Sequence, residues 1–278
     1  MRSSAVKRER FALLLASLLF LSLLSACISR PVQDSAPDGS APARLPGDAV
    51  PRAEPRSRYG NGPYYKVNGA TYKVLDSSYG YRQRGVASWY GKKFHGRMTS
   101  SQEPYDMYAM TAAHKSLPLP TYVRVRNLKN NRSIVVRVND RGPFVDNRLI
   151  DLSYSAALKL DMVRDGTSLV EVTAISFDQG PPATQRSAAV TRTTSASAEP
   201  AADIFVQVGA FGEVSNARRR HALLRNGGIG PAFVHEDRSS SPTLYRVRIG
   251  PIANVIQYDS IVEELQRLGI TETHLVTE

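Results

Sequence analysis

The sequence holds a single cysteine, Cys27, in 278 residues, and one thiol excludes an internal disulfide framework. There is no Cys pair and no His-x-x-x-His spacing, so no metal-ligating set is visible. No Gly-rich phosphate loop and no serine elbow with a paired base occur either. No cofactor is therefore expected. Nucleic-acid-binding motifs are lacking too. Long apolar runs are nearly absent; the one present, from Phe11 to Leu24, is short for a bilayer span.

What is present begins with charge. The net charge is +11, unevenly placed: residues 80–178 hold 15 Lys/Arg against 9 Asp/Glu, residues 203–278 hold 8 against 9. A basic balance suits nucleic acid, anionic lipid or an acidic polysaccharide. Without a nucleic-acid motif, an anionic polymer is the simpler partner. Arg2, Lys7, Arg8 and Arg10 precede the apolar run, which together read as a secretory signal. It ends in Leu24-Ser25-Ala26-Cys27, which resembles a bacterial lipobox. That resemblance implies removal of residues 1–26 and acylation of Cys27, with about 0.8 kcal/mol of membrane affinity for each buried methylene. Ile28, where an Asp would imply retention in the inner membrane, implies a place on the periplasmic face of the outer membrane.

Composition divides the remainder. Residues 27–59 are rich in Pro, Ala, Ser, Asp and Arg and read as a flexible tether, and residues 179–202 read as a flexible linker. Tyr64 to Leu75 reads as a hairpin about Asn68-Gly69. Thr121 to Val138 alternates apolar and polar residues about Leu128-Lys129-Asn130-Asn131, as a half-buried hairpin does. That hairpin is expected to bring His114, before it, to Asp140, after it. Glu103 and Asp106 lie three apart in a loop: a helical turn would face them the same way, whereas in a loop Pro104 sets their course.

The runs ASWYG, FHGR, a Glu three residues before an Asp, TAAH, LP, NDRGP and IDLS follow one another between Ala87 and Ser153. In this order they resemble the catalytic domain of the rare lipoprotein A (RlpA) family, whose fold is an all-β double-psi β-barrel. The barrel would cover residues 60–178. The resemblance implies a lytic transglycosylase, cutting peptidoglycan glycan strands without adding water. One residue departs from the pattern: Gln102 stands where similar sequences have Gly before the Glu, a position that can need glycine's backbone freedom.

Several side chains then have two readings. Asp140 either caps the Asp-Arg-Gly-Pro turn or delivers a proton to the leaving oxygen, and the resemblance favours the acid. His114, 26 residues before it, would orient or tune it. Glu103 and Asp106 would stabilise the transition state and bind sugar hydroxyls, or else form a solvated acidic loop. Asn139 and Arg141 flank Asp140 and would bind sugar or a muramic carboxylate. Trp89, with Tyr90 and Phe94, would stack on sugar rings or lie in the core. Asp151 is the rival acid, since IDLS resembles the acid-bearing motif of related barrels; helix capping ahead of SYSAALKLDM explains an Asp or Ser in Asp151-Leu-Ser153 without chemistry and is preferred. His95 has no assigned role.

The last 76 residues read as strand, helix, two strands, helix, strand, a ferredoxin-like α+β domain over 203–278. The first helix is expected to start at Ser215 or Asn216, and the second at a Ser260-x-x-Glu263 capping box. FVQVGAF with Asn216-Ala217, and YRVRIGP, resemble a SPOR domain. This implies binding of peptide-free glycan at the division septum, with Gln207 and Arg246 meeting the glycan, and division proteins as further partners. A glycan-gripping, expansin-like barrel that does not cut is the alternative.

Overall fold

In the computed structural model, residues 35–37, 44–177 and 203–278 are described. The signal segment, Cys27 and the 179–202 linker lie outside them. Six strands close into a barrel in the order β3-β7-β4-β6-β5-β8. They are β3 (Arg82–Tyr90), β4 (Thr111–His114), β5 (Thr121–Asn127), β6 (Ser133–Asp140), β7 (Arg148–Ser153) and β8 (Ser168–Ile175). The pairs β3·β7 and β4·β6 are parallel and the others antiparallel. Alternation fills the barrel. Val123 and Val125 of β5, Ile134, Val136 and Val138 of β6, Ile150 and Leu152 of β7, and Val170 and Val172 of β8 are all buried in one cluster.

The expected hairpins form. β1 (Tyr64–Val67) and β2 (Ala70–Lys73) pair about Asn68 and Gly69, both at positive φ. β5 and β6 pair from Thr121↔Val138 to Arg126↔Ser133. Helix α1 (Tyr154–Lys159) follows β7, and Ser153 caps it by accepting from the Ala156 N–H. Asp151 lies two residues earlier, inside β7, and accepts instead from the Ser88 hydroxyl. Of the two capping candidates in Asp151-Leu-Ser153, the cap is therefore Ser153 and not Asp151.

The tether is shorter than composition suggested. Asp48 accepts from the Val135 N–H at 2.9 Å, Ala49 N–H donates to the Val135 carbonyl at 3.0 Å, and Ser57 N–H donates to the Leu119 carbonyl at 2.9 Å. β4 pairs with β6 only from Arg137 onward, which leaves the start of β6 with an edge. Asp48 and Ala49 cover it at Val135, and polar composition alone gives no sign of such a partner.

The second domain forms a four-stranded antiparallel sheet in the order β10-β11-β9-β12, the ferredoxin-like arrangement. Its elements are β9 (Ile204–Phe211), α2 (Val214–Asn226), β10 (Ala232–Asp237), β11 (Leu244–Ile249), α3 (Val255–Arg267) and β12 (His274–Thr277). Val206, Val208, Val247 and Ile249 join Ala217 and Leu224 of α2 and Ile261 and Leu265 of α3 in the core. Both helices start earlier than expected. α2 begins at Val214 after Glu213, which makes no side-chain cap bond. α3 begins at Val255, where Asn254 accepts from the Gln257 N–H while the Gln257 side chain accepts from the Ala253 N–H. That reciprocal cap leaves Ser260 inside the helix.

Candidate active site

Asp140 ends β6, and the strand is irregular just before it. Ala112 pairs with Val138 and Ala113 with Asp140, so Asn139 is an extra residue in the ladder. A bulge of this kind re-aims the side chains that follow. Asp140 is consequently part-exposed rather than buried after Val138. Its Oδ1 accepts three hydrogen bonds of 2.7 Å, from the Ser100 N–H, the Ser100 hydroxyl and the Arg141 N–H. Oδ2 has no partner among the described residues. The turn-capping reading and the acid reading thus occupy different oxygens of one carboxyl.

The 99–103 loop brings the second carboxylate. Thr99 N–H donates to the Glu103 carbonyl at 2.8 Å and Gln102 N–H to the Thr99 carbonyl at 2.9 Å. Gln102 closes the turn at φ 65, the left-handed conformation that glycine takes without steric cost. The departure from the family pattern therefore falls where glycine would serve, yet the turn forms and Glu103 reaches its partners. Arg137 donates to both carboxylate oxygens of Glu103, at 2.7 and 3.0 Å, and Asn139 Nδ2 donates at 2.9 Å. Partial burial works against the charge of Glu103, but these donors outweigh it and hold the carboxyl below its ordinary range. Glu103 is an anchored anion beside Asp140. Among the described residues the Asn139 Oδ1 is buried without a hydrogen-bond partner.

Asp106 stands apart from this cluster. The segment is a loop, and the Asp106 carboxylate accepts from the Tyr108 N–H at 2.9 Å. Its side chain is 56% exposed, with His95 Nδ1 at 3.9 Å. His95 itself accepts from the Met107 N–H at 3.2 Å.

The His114 imidazole does not meet Asp140. Its Nδ1 accepts from the Ser116 and Leu117 N–H groups at 3.1 and 3.0 Å. The proton therefore sits on Nε2, which faces Tyr81 Oη at 2.8 Å. Burial, with Arg141 and Lys115 nearby, pushes this imidazole down to about 3, so it is neutral. Its link to the site is through the main chain: Ala113 pairs with Asp140, and the His114 carbonyl accepts from Arg141.

Arg141 is also committed. Its guanidinium donates to the carbonyls of Gly60, His114 and Leu117 and to Asn61 Oδ1. Burial lowers its pKa. It braces the site instead of presenting charge to a sugar acid. Trp89 is half-buried against Tyr154, with ring centroids 5.6 Å apart, and Tyr90 is buried and stacked on Tyr105 at 4.0 Å. Phe94, 37% exposed with Lys93 and Arg97 over its ring, is the accessible aromatic of the three.

In the second domain Gln207 and Arg246 share the sheet face away from the helices. Gln207 stands in a row with Arg248 and His274, and Arg246 in a row with His235 and Ala210. Arg246 is paired with Asp237 at 2.7 Å. Among the described residues the Gln207 Oε1 and the Arg248 Nε are buried without partners, although Arg248 Nη1 donates to Glu278; the free Nε marks Arg248 as a candidate missed in the sequence. The missed residues Ser100 and Arg137 carry no motif signal, whereas the two-residue spacing of Arg246 and Arg248 on one strand was a usable one.

Two family models match the chain: a lytic transglycolase model over residues 82–172 and a SPOR domain model over 200–273. The endolytic peptidoglycan transglycosylase RlpA of Vibrio cholerae is 36% identical over 265 residues, covering 94% of this chain and 95% of its own. That of Neisseria meningitidis serogroup B is 44% identical over 208 residues, covering 74% and 80%. Among solved structures, an apo expansin of Clavibacter michiganensis aligns at a TM-score of 0.27 and 15% identity, over 46% of this chain and 56% of its own.

Proposed function

The chain belongs to the RlpA family of endolytic peptidoglycan transglycosylases, and from that membership we propose that Asp140 is the acid of a lytic cleavage between N-acetylmuramic acid and N-acetylglucosamine. The barrel is a lytic transglycosylase domain, and the second domain is a peptidoglycan-binding SPOR domain. The reading is carried by one observation: the Asp140 carboxyl is pinned through Oδ1 while Oδ2 is without a partner among the described residues. A proton on Oδ2 passes to the bridging oxygen as the bond from C1 of the muramic residue breaks. The same carboxylate then takes the proton of the C6 hydroxyl as that oxygen closes on C1. No water is consumed, and the product is a 1,6-anhydro end. Glu103, an anion fixed beside the acid, stabilises the positive charge that develops at C1.

Address follows from the other segments. Peptide-free glycan at the division septum is the substrate in place, bound on the Gln207 and Arg246 face. Cys27, acylated, holds the protein to the periplasmic face of the outer membrane. Mass spectrometry of peptide-free glycans incubated with purified residues 28–278 tests the chemistry. Products lacking the mass of one water relative to hydrolysed ends are expected; unchanged strands or ordinary reducing ends would overturn it.

A further inference from the structure

Arg137 on β6 holds two carboxylates, and one of them lies outside the barrel. Its Nε and Nη2 donate to Glu54 at 3.2 and 2.8 Å, and its Nη1 and Nη2 donate to Glu103 at 2.7 and 3.0 Å. The Glu54 half of the arrangement is largely withdrawn from solvent: the side chains of Arg137 and Glu54 are 19% and 16% exposed, whereas that of Glu103 is 41% exposed. We infer that Glu54, on the segment ahead of the barrel, is a positioning residue for glycan cleavage, acting through Arg137 on Glu103 and Asn139. This rests on the reading of Asp140 and Glu103 as the reacting site.

Glu54 is itself fixed from several sides. Tyr122 Oη donates to it, and Arg52 Nε donates at 3.1 Å. Burial works against its charge, and the hydrogen bonds from Arg137, Tyr122 and Arg52 outweigh that, taking the carboxyl down to about 2. The flanking chain is docked at Asp48, Ala49 and Ser57, so the carboxylate is presented from a held backbone. The same segment reaches the acid by a second route. A Cβ at Gly60 would lie 2.9 Å from the Ser100 carbonyl oxygen, and Ser100 supplies two of the three hydrogen bonds on Asp140.

A guanidinium with five donors in a rigid fork keeps its orientation only while its partners are fixed. Removing the Glu54 charge frees the Nε side, and the fork can then turn about the remaining pair. Glu103 would follow it. Asn139, which donates to Glu103 and directly precedes Asp140, would lose its reference. Small misplacements of this kind are costly to a rate that depends on alignment.

The test uses residues 28–278 and measures anhydro-end release from peptide-free glycan at saturation. Glu54→Gln is expected to lower kcat about tenfold, with KM changed less than that, on a protein that still unfolds cooperatively. In a Glu103→Gln background the further loss from Glu54→Gln should vanish, because both act through one guanidinium. A merely structural role would give the same fold-loss in both backgrounds, and that result, or a fully active Glu54→Gln, overturns the inference alone. If Glu54→Gln does not fold, Glu54→Asp, which keeps the charge but draws it back by one methylene, carries the same comparison. A wild-type chain that leaves the glycan uncut sinks both this inference and the reading beneath it.

Discussion

Proton donation and hydrogen-bond shape can be separated at Asp140 by a single atom. Asp140→Asn keeps an acceptor for Ser100 and Arg141 but has no proton to give, so turnover should fall about a hundredfold or more with the fold retained. Asp151→Asn can still accept from Ser88 and should stay active; a dead, folded Asp151→Asn beside an active Asp140→Asn would move the acid to β7. At His114 the consequence is in pH. Its imidazole falls from an ordinary 6.5 to about 3 through burial, so between those values the unfolded chain takes up a proton that the folded chain refuses. Its contribution to stability is whole above about pH 6.5 and is lost as pH falls toward 3. His114→Gln should lower the Tm near neutrality but flatten its decline on acidification. Trp89 is the only Trp, and its fluorescence would follow the barrel's unfolding; equal acid slopes for the two proteins would refute the argument.

Single elements show where residue type outruns local pattern. The loop 99–103 closes although Gln102 occupies a left-handed φ of 65, a conformation that costs an L-residue roughly 1–2 kcal/mol, whereas glycine there loses about 0.5–1 kcal/mol in conformational entropy. Gln102→Gly should therefore raise stability by about 0.5 kcal/mol, read as a shift in urea midpoint, without reducing turnover. The β5–β6 hairpin was legible because alternation over Val123, Val125, Ile134 and Val136 is unbroken up to Val138. The bulge at Asn139 was not, since it depends on how β4 aligns beside β6 and not on any residue in NDRGP. The start of α3 was misplaced for a related reason. Ser260 and Glu263 have capping-box spacing, yet Val255 and Tyr258, which precede Ser260, bury in the core of the domain, and packing carries the helix back to Val255 with Asn254 as its cap. Likewise the TAAH motif placed His114 on the strand beside Asp140, but only the pleat decides that its ring turns to Tyr81.

For the whole molecule, the proposed function puts address and chemistry in separate segments, and each should then act without the other. Residues 203–278, exported as a fusion to a fluorescent protein, should gather at division sites, and Gln207→Ala with Arg246→Ala should disperse them; a uniform signal from the intact segment would refute the septal address. The docking of residues 48–57 on the barrel, at Val135 and Leu119, bears on distance. About 22 residues separate Cys27 from Ala49, against about 33 to Gly60, and a fully extended chain advances at most about 3.3–3.6 Å per residue. If Cys27 is acylated as proposed, the barrel can stand no more than about 75 Å off the bilayer, where an undocked tether would allow about 115 Å. Spacer residues inserted between Ile28 and Gly47 should lengthen that span by about 3.5 Å each, whereas residues inserted after Ser57 should add no reach at all, because the leash is already tied off at Val135 and Leu119.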